Sequence, residues 1–503
     1  MDPELENIIC LDVHLDTPGV TRILPKVFDG IRARCRILAE ETVADRASHT
    51  PRNDPSDPYA GCLRNHKSDE TMVQRLKALK RGERLTVGDV WDDQTGTYAS
   101  DNEKIAEVFI RAARERQGSG RGASIAGQRF LDSWAVDFSR CRTSLTLNEV
   151  ERIIRDGPKG KRPGPDGVPA EIFQRYSAQL ANMFLEAWGE LQNDVYSNDM
   201  YRILALKTWM VVPKIEGANR VDKFRDLEMG NESRKILARM LNRLLDEVCS
   251  CAGTGLSSCQ QAFVSGRDIV RNTSSMLRVF WDNVEHRDHT DNPLLMLLLD
   301  CSKGYNLMSR DWVVRVLEKA GLPGCLVTLV ANMMVSVAIL LLNGTEHDPL
   351  ELLSGLTQGC PASCFLYIIA VDPLLQALQA TDGVQIVSGF VDDWSAGCDD
   401  FNTLGRVSCL ISEFEQASGQ QINRDKSALV PSRRLRAEDL SRCEAELGWP
   451  LRVSYRERLL GIYIGIDASI EDQYKDAMNK FGKNLVIFTA SRSTSAWLHV
   501  LSW

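Results

Sequence analysis

The chain has 503 residues, 44% of them hydrophobic, and a formal net charge of −8; that length supports two or three domains with a sizeable core, and the acidic balance excludes a uniformly basic nucleic-acid coat, so any nucleic-acid site must be local. Fourteen cysteines without one CxxC pair exclude a zinc knuckle or a thioredoxin-like motif. The acidic start "MDPELENIICLDVHLD" has no apolar secretory run, so an intracellular setting is expected, nucleus or cytoplasm undecided.

Residues 1–100 are mixed, with Pro- and Asp-rich patches such as "RNDPSDPYAG", and carry no assignable chemistry. Over 101–145 a helical lead-in is expected: Ile105, Val108, Phe109 and Ala112 in "NEKIAEVFIRAARER" share one face, and "QGSGRGASIAG" follows as a flexible linker. Thr146 and Glu149 form a capping box ahead of Val150, Ile153 and Ile154, and Gly157 ends that helix. The loop "KGKRPGPDG" reads either as a solvated turn or as backbone that lies along phosphates. "KTWMVVPKI" predicts a short strand and "NESRKILARMLNRLLDEV" a helix with a basic side. Ten basic and seven acidic residues between 202 and 247 make this stretch locally positive, as a nucleic-acid surface or as an ordinary charged helix face.

In "PLLMLLLDCSKGYN", Leu or Met fills every position from 294 to 299 before Asp300 arrives, the pattern of a central strand buried on both faces with a carboxylate at its end. An unpaired buried carboxylate costs several kcal/mol, roughly, so a cation is expected there. "CLVTLVANMMVSVAILLLNG", residues 325–344, approaches bilayer-spanning length. Asn332, Ser336 and the closing "NG" turn it into a helix followed by a hairpin, and no membrane span is expected. In "GFVDDWSAG" the carboxylates of Asp392 and Asp393 sit at a hairpin tip between two strand-like runs. If that tip lies beside Asp300, hard oxygen ligands converge in the manner that suits Mg²⁺. Two such ions about 4 Å apart would activate a primer 3′-hydroxyl and stabilise leaving pyrophosphate.

Taken in order, the blocks "RPGPDGVPAEIF", "WMVVPKIEGANRVDKFRDLEMGNESRKILARMLNRLL", "QQAFVSGRDIVRN", "LLLDCSKGYN", "GLTQGCPASCFLYIIAVDPLLQAL", "GFVDDW", "FEQASGQQINRDKS" and "YRERLLGIYIG" resemble a reverse transcriptase. The closest likeness is to the polymerase of retrotransposons lacking long terminal repeats, over roughly residues 146–465. The resemblance implies an α+β right hand: fingers over 146–290, a palm with catalytic strands and primer grip over 291–465, and the start of a truncated thumb over 466–503.

The resemblance also implies roles. Asp300, Asp392 and Asp393 would ligate two Mg²⁺ ions, or Mn²⁺ in their place. Tyr305 would stack beneath the incoming sugar, while Lys214 and Arg225 would hold the triphosphate and Lys426 would protonate pyrophosphate. Gln358, Gly359, Pro361 and Ser363 would contact template and nascent pair, with Leu460 and Gly461 gripping the primer. An RNA template, a DNA primer and deoxynucleoside triphosphates are the implied partners; no oligomeric state is indicated.

Four positions depart from the family pattern: Asn306 where Asp is usual, Val391 in place of alanine before the doublet, Asp226 where proline is expected after Arg225, and Thr357 in place of a basic residue. No endonuclease or Cys/His knuckle is legible, and a truncated element is expected. Three readings follow: an RNA-directed DNA polymerase, a decayed palm-fold remnant that only binds nucleic acid, or a structural protein with no nucleic-acid partner.

Overall fold

The computed structural model describes residues 86–119, 127–193, 204–251, 253, 255–286, 292–450, 452–469 and 471–473. Most of the N-terminal 100 residues, the linker centred on 120–126 and the thumb-like segment beyond 473 lie outside the described residues.

The strands that concern the site are, in chain order, β1 (Leu206–Pro213), β2 (Phe224–Gly230), β3 (Leu295–Asp300), β4 (Ser336–Leu342), β5 (Val384–Phe390), β6 (Asp393–Cys398), β7 (Ala428–Pro431), β8 (Glu457–Leu459) and β9 (Ile462–Ile464). The helices are α1 (Asn102–Ser119), α2 (Leu147–Arg155), α3 (Glu232–Ser250), α4 (Ile269–His286), the one-turn α5 (Gly304–Leu307), α6 (Pro361–Gln379) and α7 (Phe401–Ser418).

Five strands make the sheet that carries the acids, in the order Arg452–Val453, β7, β3, β6, β5, so β3 is central. Its continuous apolar run has a direct cause. Leu295, Leu297 and Leu299 face the large core with Tyr367 and Phe414, whereas Leu294, Met296 and Leu298 face a second core with Met276 and Phe280 of α4 and Leu459 and Ile464 of the β8–β9 hairpin. Successive side chains leave a strand on opposite faces, and here both faces are covered.

The other sheet places β1 between β2, antiparallel, and β4, parallel. Along β1 the inward positions Lys207, Trp209 and Val211 are buried. Helix α1 packs on this sheet through Ile105, Val108 and Phe109, which join Trp209, Phe224 and Leu340; the rings of Phe109 and Phe224 meet edge to face at 5.2 Å. Asp101 accepts the Lys104 N–H at 2.9 Å to start α1, and the predicted capping box starts α2, with the Thr146 N–H bonded to Glu149 at 2.8 Å. The apolar stretch 325–344 is a helix, Gly324–Met334, followed by β4 and a turn, and β4 returns the chain to the sheet begun more than a hundred residues earlier.

Of the described helices, α6 is the one long and apolar enough to cross a membrane, and it is the buried central helix of the large core. At its middle Asp372, fully buried, accepts from the Trp134 indole at 2.8 Å, the Ser257 N–H at 3.0 Å and Gln376 at 2.9 Å. Burial pushes its pKa up to about 6 against those donors. The sign follows from linkage: the carboxyl's contribution to stability is complete below its ordinary value of 3.8 and is lost as pH rises through about 6. Asp372→Ala strands three donors and is expected to lower the unfolding free energy by about 3 kcal/mol. Urea denaturation from pH 4 to 7 should also show a flatter fall of stability in the variant than in the parent.

Candidate active site

Asp300 ends β3, and its direct cross-strand partner is Asp393, the first residue of β6; Trp394 then faces Leu299. Strands β5 and β6 close through Val391 and Asp392, with Phe390 paired to Asp393. Val391 has φ 59°, a left-handed conformation at the first loop position, where a tight hairpin normally needs glycine. A β-branched residue stays there because its backbone is held on both sides. Its N–H donates to Gln260 Oε1 at 3.2 Å, and its carbonyl accepts from the Trp394 indole at 2.9 Å, both from buried side chains.

Asp300 is held equally firmly. Its carbonyl accepts from the Asn423 N–H at 2.7 Å and its N–H donates to Ser427 Oγ at 3.2 Å. The same segment, "NRDKS", delivers Lys426, whose Nζ stands 3.7 Å from Asp300 Oδ2.

The carboxylates act on one another. Burial and the Asp300 charge raise the pKa of Asp392. Asp393 reaches solvent, yet the surrounding protein, Asp392 and Asp300 together push it up to about 6. Among the described residues no cationic side chain offsets either shift. Neighbouring carboxylates whose charges repel one another are a donor set suited to a divalent cation. Among the described residues no three His, Cys, Asp or Glu side chains are grouped so that they could hold a metal ion by themselves. The remaining positions around an ion would fall to water and phosphate oxygens, as is usual for Mg²⁺.

Beside the acids lies a field of positive charge. Lys214 donates to the Asp222 carbonyl at 2.9 Å. Its pKa is lowered by burial and by the neighbouring charges of Lys426 and Arg225. Three cationic residues expected from distant parts of the chain thus share one neighbourhood.

The other expected site residues divide. Tyr305, on α5, stacks on Tyr367 with ring centroids 4.8 Å apart and lies against the large core, within electrostatic reach of Asp392. Gln358 gives its carbonyl to the Glu228 N–H at 3.2 Å, which seats its loop on β2. Gly359, at φ 111°, passes so close to β2 that an added Cβ would lie 2.9 Å from the Glu228 carbonyl oxygen. Pro361 opens α6, as its missing N–H allows. Ser363, in the first turn of α6, is buried, 4% exposed. Leu460 and Gly461, both at positive φ, form the turn of the separate β8–β9 hairpin.

All four departures from the family pattern are built into local contacts. Asn306 donates to Asp226 Oδ2 at 3.0 Å, so two of them bond to each other. A carboxylate at 306 would instead face the carboxylate of Asp226. Thr357 is hydrogen-bonded to Lys207, a fully buried lysine also paired with Glu228 at 3.1 Å; a basic side chain at 357 would oppose it. Burial, followed by the charge of Arg234, lowers Lys207 to about 7. The fourth, Val391, is the braced turn residue.

Sequence reasoning missed Gln260, Lys207 and the importance of Asp226. The available signal was alternation. Arg225 is exposed and Asp226 buried on the same strand, so a charged residue stands at an inward position, as Lys207 does on β1.

The sequence profile of the family described as reverse transcriptase (RNA-dependent DNA polymerase) matches residues 219–449. Among curated proteins, the chain is 24% identical over 340 residues to the transposon TX1 uncharacterized 149 kDa protein of Xenopus laevis, which covers 65% of this chain and 25% of that protein. It is 22% identical over 296 residues to the retrovirus-related Pol polyprotein from type-1 retrotransposable element R2 of Popillia japonica, covering 57% of this chain and 39% of that protein. The chain thus spans well under half the length of either relative.

Removing one of the repelling charges should be visible without any reaction. In metal-free buffer Asp392→Asn is expected to melt about 2 °C higher than the parent. Titrating Mn²⁺ should raise the parent's melting temperature and leave the variant's nearly unchanged, as read by scanning calorimetry.

Proposed function

From a chain whose residues 219–449 are a reverse-transcriptase domain related to proteins of retrotransposons without long terminal repeats, we propose an RNA-directed DNA polymerase that adds deoxynucleotides to a primer 3′-hydroxyl. The observation that carries this reading is the in-register pairing of Asp300 with Asp393, with Asp392 at the adjoining turn.

Asp300, Asp392 and Asp393 are the residues that would hold two Mg²⁺ ions, or Mn²⁺ in their place. When bound, such ions make the primer hydroxyl a better nucleophile and neutralise charge on the transferring phosphoryl group and the leaving pyrophosphate. Lys214 and Arg225 set fixed positive charge against the triphosphate, which costs no reorganisation during the reaction. Lys426, beside Asp300, supplies a proton to pyrophosphate as it leaves. Tyr305 presents its ring edge below the sugar and leaves no room for a 2′-hydroxyl. The Gln358–Gly359 backbone, seated on β2, approaches the nascent pair, with Pro361 fixing the start of α6. The hairpin of Leu460 and Gly461 holds the primer strand. In this reading β1, β2 and the helices before 290 serve as fingers and the five-stranded sheet as palm, and an RNA template and a DNA primer lie between them.

The alternative, a remnant that binds nucleic acid without copying it, drew its support from the four departures. The hydrogen bonds that those residues make within the fold favour the polymerase reading.

Primer extension on an RNA template by the purified protein is the direct test. Asp392→Asn should lower incorporation by about 1,000-fold or more, because several kcal/mol of charge stabilisation goes with the carboxylate; chelation of divalent ions should abolish it. Salt-sensitive RNA binding with no incorporation by the parent protein would return the remnant reading.

A further inference from the structure

Between Asp300 and Tyr305 the chain makes a turn that a lysine should resist. Lys303 adopts φ 48° and ψ 45°, the left-handed region, and caps the one-turn helix α5 that carries Tyr305. Its carbonyl accepts from the N–H groups of Asn306 at 2.8 Å and Leu307 at 3.2 Å. On one side the turn is tied to the segment before Lys426, through Ser302 N–H to the Gln421 carbonyl at 2.8 Å and Gln420 to the Gly304 carbonyl at 2.8 Å.

On its other side stands one buried carboxylate. Asp226 is 5% exposed. Its Oδ2 meets Lys303 Nζ at 3.3 Å, Asn306 Nδ2 at 3.0 Å and Arg116 Nη2 at 3.4 Å, while Oδ1 accepts from the Trp209 indole at 3.1 Å. Arg116 comes from the last part of α1, Trp209 from β1, and Lys303 and Asn306 from the two ends of the catalytic turn. Four donors from three regions of the chain therefore converge on one side chain. Burial works against its charge, and Arg116 and Lys303 outweigh that and hold its pKa below the usual carboxylate range. Lys303 is itself drawn down by burial and by Arg116, against the pull of Asp226; with two cations facing one carboxylate, the arrangement is a charged cluster.

We propose that Asp226 is a positioning residue: a latch by which α1, which packs beside α5, and the β1–β2 sheet hold the turn between Asp300 and Tyr305 in its left-handed form, so that the lead-in helix sets the geometry of the site from its flank. The activity arm rests on the polymerase reading. The exchange arm does not.

Asp226→Asn keeps the size of the side chain and removes its charge. The folded variant should show faster amide hydrogen exchange in two segments distant in sequence, 301–307 and 102–116, with little change in β3. In primer extension its kcat/KM for the nucleotide should fall by about 100-fold, the cost of a small misplacement near the reacting groups. Most of that loss should appear in KM, since the metal-binding carboxylates stay in place. Asn306→Asp sets a second carboxylate against the first and should lose as much. The double variant Asp226→Asn/Asn306→Asp restores one acid and one amide at the contact and should recover at least a tenth of parental kcat/KM and the slow exchange of 301–307.

Unchanged exchange of 301–307 in Asp226→Asn would overturn the latch, as would a double variant no better than Asn306→Asp alone. If the parent incorporates no nucleotide, the polymerase reading fails and the exchange comparison still decides the latch. If Asp226→Asn does not fold, Arg116→Met reads the same coupling from the helix side, with faster exchange at 301–307 expected and its absence counting against the proposal.

Discussion

Carboxylates are costly to take out of water, and this molecule brings three of them together at the mouth of a sheet covered on both faces. The arrangement persists only because the backbone around each acid is over-determined. Asn423 and Ser427 clamp Asp300 from the segment that leads into β7, while Gln260 and Trp394 hold Val391 in a conformation it would otherwise leave. In the proposed reading, a divalent cation would relieve the mutual repulsion of these acids.

Buried charge also connects regions that lie far apart in the chain. Asp226 joins α1 and β1 to the turn between Asp300 and Tyr305, Lys207 joins β1 and β2 to the loop of Thr357 and Gln358, and Asp372 joins the central helix to Trp134 and Ser257. Each is fully or nearly fully buried and fully partnered, the condition under which a polar group in a core specifies one arrangement instead of merely weakening it. Two of these clusters border the proposed nucleotide site. The sheet on which α1 packs is therefore coupled to the acids by directional bonds as well as by apolar contact.

Much of the site could be read in advance where one segment carried the whole signal. An apolar run stopped by Asp300, a doublet between two strand patterns, and a capping box at Thr146 each depend on neighbours a few residues away. Lys426 and Lys214 were legible through resemblance, and the structure brings both near the acids or one another. The burial of Ser363 was not legible, because it depends on how α6 packs, and α6 is buried along nearly its whole length. The departures looked like damage when taken singly. Asn306 and Asp226 make sense only as a pair eighty positions apart, which no local pattern can report.

The sequence by itself determined which elements form and which of them end in acid, because periodicity, capping and turn chemistry act over a few residues. Tertiary structure alone decided that Asp393 lies opposite Asp300, that β4 returns to the earlier sheet, and that one buried carboxylate gathers donors from three regions. Those outcomes follow from packing and strand register between distant segments, where the deciding energies arise from contacts that exist only once the chain has closed on itself.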